Sequence, residues 1–147
     1  MGRGRRTTST RHLRRGNAVL DAALVFPVLL SLTFGSVEFG HYFYVKHTLQ
    51  GAAREGARVA ITPSSGNGDV TSAIQAAMTA AGFSPGSYTI KIRNQADTAD
   101  LNVNTATAGT PILVKVTAGW GTVGIRPLGL IGSGKQVIGQ SVMRKEG

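Results

Sequence analysis

From Asn17 to Val45 the chain carries only two formal charges, Asp21 and Glu38, and residues 22–37 carry none. The run AALVFPVLLSLTF over residues 22–34 is apolar all round, which the surface helix of a soluble domain is not. A bilayer's hydrocarbon core takes about 20 residues of helix. Residues 18–37 supply that length, with Asp21 near one end. The pattern then changes without stopping. From Phe39 to Ile61 apolar and small residues recur at helical spacing, and no proline follows until Pro63. Val45, Leu49, Ala52 and Ala53 fall on one side, while Lys46, Gln50, Arg54 and Arg58 step by four along a polar edge. The spacing predicts one helix over 17–61, roughly 65 Å long at about 1.5 Å per residue. The cluster PSSGNG at 63–68 ends it.

Beyond this break, Asp69 is placed to cap a second helix over 70–81 that puts Val70, Ile74, Ala77 and Met78 on one face, with Gly82 as terminator. Alternation predicts strands at 88–93 and 112–117 and a weaker one at 136–143. Between the last two lies a glycine-rich but apolar loop, residues 120–134. The expected fold class is α+β. A long N-terminal transmembrane helix continues into a small domain with a short second helix and a three- to four-stranded antiparallel sheet, packed on the helix's outer half. The chain divides into a basic leader (1–16), the long helix (17–61, with about 18–38 in the membrane) and an outer domain (62–147).

A net charge of +9 invites a nucleic-acid reading, but its distribution argues against one. Arg3, Arg5, Arg6, Arg11, Arg14 and Arg15 lie in the leader with no acid among them; beyond Gly16, ten basic residues face seven acidic ones. The later basic residues form no stripe that tracks phosphates. Cations before the apolar run and few after it predict a cytoplasmic N-terminus and a C-terminal domain on the far side. The absence of cysteine excludes disulfides, thiolate metal sites and a Cys nucleophile. His41 and His47 stand six apart and His12 lies in the leader, so no metal-ligand spacing is present. GLIGSGK at 129–135 imitates a phosphate loop, but Gln136 replaces the magnesium-binding Ser or Thr and a strand is expected where a helix should begin. No catalytic constellation is visible. The sequence predicts no enzyme, cofactor, metal, small-molecule substrate or nucleic-acid partner.

The informative junction is Arg14-Arg15-Gly16-Asn17-Ala18-Val19-Leu20-Asp21. A basic leader ends in glycine, an apolar helix starts at once, and a carboxylate stands fifth after that glycine. This resembles the class III signal of type IV pilins and pseudopilins. Pro27 in the apolar run, Val37-Glu38-Phe39-Gly40 and Ala53-Arg54-Glu55-Gly56-Ala57-Arg58 are more closely similar to the TadE-like pseudopilins of tight-adherence (Flp) pilus systems, as, faintly, is the ending Ser141-Val142-Met143-Arg144. The resemblance implies a bacterial inner-membrane protein crossing once, its outer domain periplasmic or extracellular. It implies cleavage between Gly16 and Asn17 by a prepilin peptidase, and partners among other pilins or pseudopilins and the pilus assembly platform. The fifth-position acid, Asp21, would then assist assembly. Asp21 stands where the family usually has Glu, and Asn17 where many type IV pilins have Phe.

Physical chemistry gives the same residues work. Glycine before the scissile bond lets an extended segment enter a peptidase cleft closely. Cleavage would expose an α-amino group at Asn17, a sensible partner for a neighbouring subunit's Asp21, which is an expensive charge in the membrane unless paired. The competing reading puts Asp21 at the cytoplasmic headgroup boundary. Pro27 removes a helical hydrogen bond and permits a kink or local melting. Glu38 is either solvated at the outer membrane edge or in contact with Lys46, His41 or a partner pilin. Arg54, Glu55 and Arg58 hold the long helix to the sheet or form a subunit contact. Gly35, Gly40, Gly51 and Gly56 would allow helices to approach closely. The alternative to a pilin-like assembly protein is an uncleaved, signal-anchored binding module that never assembles.

Overall fold

The computed structural model describes residues 11–146, with side chains from Ala18 onward. One helix, α1 (Arg11–Ala60), dominates. It begins before the expected boundary at 17: residues 11–16 are already helical, and residues 1–10 lie outside the described part. Arg and Leu are good helix formers, and the only adverse residue there, Gly16, costs about 1 kcal/mol. The helix also runs unbroken through Pro27. Ser31 Oγ donates to the Pro27 carbonyl at 2.7 Å, and Thr33 and Ser36 repeat this four-residue reach to Leu29 and Leu32, each at 2.8 Å. Hydroxyls folded back in this way hide their own polarity from an apolar surrounding.

α2 (Asn67–Ala80) follows a short turn. It starts three residues before the expected 70 because Asp69 acts from inside the first turn: its carboxylate accepts the Gly66 N–H at 2.8 Å. The turn after α2 uses Gly82 at φ +83, where a side chain would be strained. β1 (Tyr88–Asn94), β2 (Pro111–Gly119) and β3 (Gln136–Arg144) form an antiparallel meander in the order β1-β2-β3. Val114 pairs with Ile92 on one side and Ser141 on the other. A 3-10 turn (Val103–Thr105) and a single-turn helix, α3 (Trp120–Val123), lie in the connections.

The alternation predicted for β2 is what buries it. Ile112, Val114, Val116 and Ala118 face Val45, Leu49, Ala53 and Ala57 of α1 and Val70, Ile74 and Met78 of α2 in one core. Small residues on α1 let the sheet come close. At Gly139 of β3 a Cβ would fall on the Leu49 backbone carbonyl, so helix and strand meet backbone to backbone. β3 is an edge strand, and its open edge is covered by the predicted polar edge of α1. Lys46 donates to the Ile138 carbonyl, while Gln50 donates to the Gln140 carbonyl at 2.6 Å and accepts its N–H at 3.3 Å. An edge satisfied this way offers little to a foreign strand. Lys145, buried after β3, donates to the carbonyls of Ala60 and Thr62 at 3.2 and 2.6 Å, placing a cation at the negative end of α1.

Candidate functional site

Two stretches of α1 carry the functional argument: the apolar inner half and the band where the outer domain grips it. Along the inner half, Val19, Leu24, Phe26, Val28 and Leu32 are all more than half exposed. Between Ala18 and Val37 only Gly35 is buried, covered by Leu130 of the 124–135 loop. This helix is long and apolar enough to cross a membrane, and among the described residues nothing else shields it. The described residues thus fit a single-pass anchor.

The predicted processing junction is part of α1, so the Gly16–Asn17 peptide is helical and would have to unwind for a peptidase to take it in extended form; the Asn17 side chain lies outside the described residues. Asp21 is exposed on the bare helix, one turn above Asn17 and accessible to a neighbouring chain or to headgroups. Pro27 lies in the exposed stretch as well.

Glu38 is placed quite differently from either expectation. It is 0% exposed. Its carboxylate accepts the Ile131 N–H at 2.7 Å and the Leu128 N–H at 3.3 Å, from a loop about ninety residues away in sequence. Gly129, at φ +66, lets that loop curl its amides toward one point, the geometry of an anion-binding nest. The stretch that imitates a phosphate loop therefore holds an anion, but the anion is the chain's own. β3 follows it, not a helix. Neither Lys46 nor His41 pairs with Glu38: Lys46 is on β3, and His41 Nε2 donates to the Val123 carbonyl at 2.9 Å.

The next turn of α1 completes a collar. Trp120 is buried with ring centroids 5.7 Å from His41 and 5.4 Å from Tyr42. The Tyr44 hydroxyl donates to the Ala81 carbonyl at 2.8 Å while its ring stacks on Phe83. Residues 38–44 thus fasten the domain to the helix just beyond the apolar span. Aromatic side chains at this level suit a membrane–water boundary.

Arg54, Glu55 and Arg58 lie further out and do not join helix to sheet. Glu55 and Arg58 pair within α1 at 2.6 Å, both side chains well exposed, and Arg54 is exposed too. The reason is rotational. Ala53 and Ala57 take the core-facing side, which leaves their charged neighbours turned to solvent. The Arg58 guanidinium holds the Glu55 carboxyl below its ordinary range. Lys46, Gln50 and Lys145 do the joining instead. Among the described residues no His, Asp or Glu group is arranged to hold a metal ion.

An apolar helix bare along one half and clasped by a small α+β domain along the other defines a helix-anchored α+β protein. Residues 16–58 match the family model described as TadE-like protein. Over those residues, most of the first helix, the chain is similar to that family, on the stretch that carries the sequence resemblance. The match ends at Arg58, inside α1, and takes in none of the sheet. No curated protein and no solved structure matches the chain.

Proposed function

We propose that this chain is a pilin-like structural protein of a tight-adherence pilus or a related secretion system, anchored in the bacterial inner membrane and processed after Gly16 by a prepilin peptidase. The observation that carries the reading is the TadE-like match over residues 16–58, which coincides with a helix whose inner half is apolar and uncovered. Such a surface needs lipid before assembly and other helices after it. The six arginines of residues 1–15 support a cytoplasmic N-terminus. Asp21, exposed one turn above the new terminus, would pair with a neighbour's α-amino group and fix axial register. Gly40 and Gly51, whose missing side chains face open space, suit close contact with other pilins or pseudopilins. The work assigned here is assembly, without catalysis.

The helical conformation of the Gly16–Asn17 junction favours a second reading, an uncleaved signal anchor carrying an envelope-binding domain. Intact mass and N-terminal sequencing of the membrane-extracted chain, with and without the prepilin peptidase, decide between them. A peptidase-dependent terminus at Asn17 is expected. A terminus still at Met1 in both strains would leave the anchored module.

A further inference from the structure

The domain side of the collar carries an apolar patch that the pilin-like reading does not use. In the loop between α3 and β3, Ile125, Leu128 and Leu130 are 51%, 41% and 56% exposed, although the loop is pinned by Glu38 and is no loose excursion. Next to it on α1, Phe39 and Phe43 are 48% and 55% exposed, and the two elements share a groove with Lys135 at its rim. Scattered exposed apolar residues need no explanation, but Phe39, Phe43 and Leu130 gathered on one groove, beside a loop tied to Glu38 by hydrogen bonds, do.

Its height along the helix identifies what covers it. Leu130 Cδ1 comes within 3.6 Å of the Cβ position of Gly35, and Gly35 lies inside the apolar span of residues 18–37. At about 1.5 Å per residue it sits roughly 4 Å below Glu38. Leu130 is therefore at acyl-chain depth wherever the helix spans. Arg126 and Lys135, both exposed, stand on either side of Leu128 and Leu130 in sequence and suit the phosphates of lipid headgroups. The buried Glu38 carboxylate makes this depth tolerable. It occupies amides of Leu128 and Ile131 that would otherwise enter an apolar medium without partners.

We infer that the loop over residues 125–131 is a second membrane contact, a wedge set into the outer-facing leaflet beside the helix, so that the bilayer's phospholipid covers the patch and the base of the domain rests on the membrane surface. The inference rests on reading residues 18–37 as the membrane span.

The chain contains no cysteine, which permits single-site labelling of the full-length protein in phosphatidylcholine–phosphatidylglycerol nanodiscs containing doxyl-labelled lipid. Fluorophores would be attached through Leu128→Cys, Leu130→Cys, Val37→Cys as the span control and Lys91→Cys on the exposed sheet. Labels at 128 and 130 should be quenched nearly as strongly as at 37 and several-fold more than at 91. Quenching at 128 and 130 no greater than at 91, with 37 still quenched, would overturn the wedge while leaving the anchor intact. Protection at 128 and 130 from both doxyl lipid and aqueous iodide would also overturn it, because a neighbouring chain would then be the cover. An unquenched label at 37 would remove the span, and the wedge with it.

Discussion

The two halves of α1 share one secondary structure and meet two different surroundings. Residues 18–37 are exposed nearly throughout, with large apolar side chains on every side. Residues 45–60 present a single buried stripe of Val45, Leu49, Ala52, Ala53, Ala57 and Ala60, with polar side chains elsewhere. The inner half has bulk without direction, which suits a solvent or partner approaching from any side. The outer half gives up bulk for direction, since small residues bring a sheet to backbone distance. Glu38 stands at the seam. The difference teaches that the helix is specified twice, once by hydropathy and once by periodicity, and that the domain rather than the helix marks the boundary.

The contrast breaks most completely at Gly139. A valine there would drive its side chain into the Leu49 backbone, and backbone cannot yield as a side chain can. Gly139→Val should destabilise the domain by about 3 kcal/mol. The check is urea unfolding in detergent followed by the fluorescence of Trp120, the single tryptophan, which is buried against the collar. The midpoint should fall sharply while the helical signal of the inner half persists. A coincident loss of both would mean that the two halves are not independently specified.

A smaller effect sharpens the seam itself. Glu38→Gln keeps the shape but sets an amide NH2 where the carboxylate accepted an N–H. We expect a loss of about 2 kcal/mol, seen as about 30-fold faster hydrogen exchange at the Leu128 and Ile131 amides. Exchange in β2 should stay unchanged. Unchanged loop exchange would show that the amides are held by something other than Glu38.

The long helix, the α+β class and the strand positions were legible because each rests on local periodicity. Val114 to Ala118 alternates, and Val70, Ile74 and Met78 recur at helical spacing. What stayed hidden was contact between distant side chains and backbone. Nothing local says that Glu38 serves the amides of a loop about ninety residues on, that Lys46 and Gln50 cover the edge of β3, or that Lys145 caps α1. Backbone donors leave no residue-type signature. One signal was available for Glu38: a lone carboxylate in a charge-poor stretch needs a partner, and a glycine-rich loop is the natural source of free amides. Asp69 misled differently, because an acid three residues inside a helix start resembles one at the cap itself. For Gly16, Asn17 and Asp21 legibility is of another kind. The roles proposed for them lie between molecules, and the fold of one chain does not test such roles.

Charge plays the least part where the domain faces water, and Asp97 measures how little. It sits in the β1–β2 connection at φ 54. Lys115 Nζ is 2.6 Å from one carboxylate oxygen and Arg93 is 3.3 Å from the other. The Lys115 ammonium, supported by Arg93, holds the Asp97 carboxyl below its usual range. A depressed carboxyl stabilises the fold fully above the unfolded value of about 3.9, and that contribution is lost as pH falls through the lower folded value. About a third of the Asp97 side chain meets solvent, so solvent screening leaves only a small contribution. Asp97→Asn isolates the charge, because Asn also tolerates the left-handed backbone. Wild type should exceed the variant slightly at neutral pH, and the two should converge as acid protonates Asp97. A gap that persisted in acid would assign the effect to hydrogen bonding in the turn, whereas a gap as large as that at Glu38 would put electrostatics on a par with the collar in holding the outer domain together.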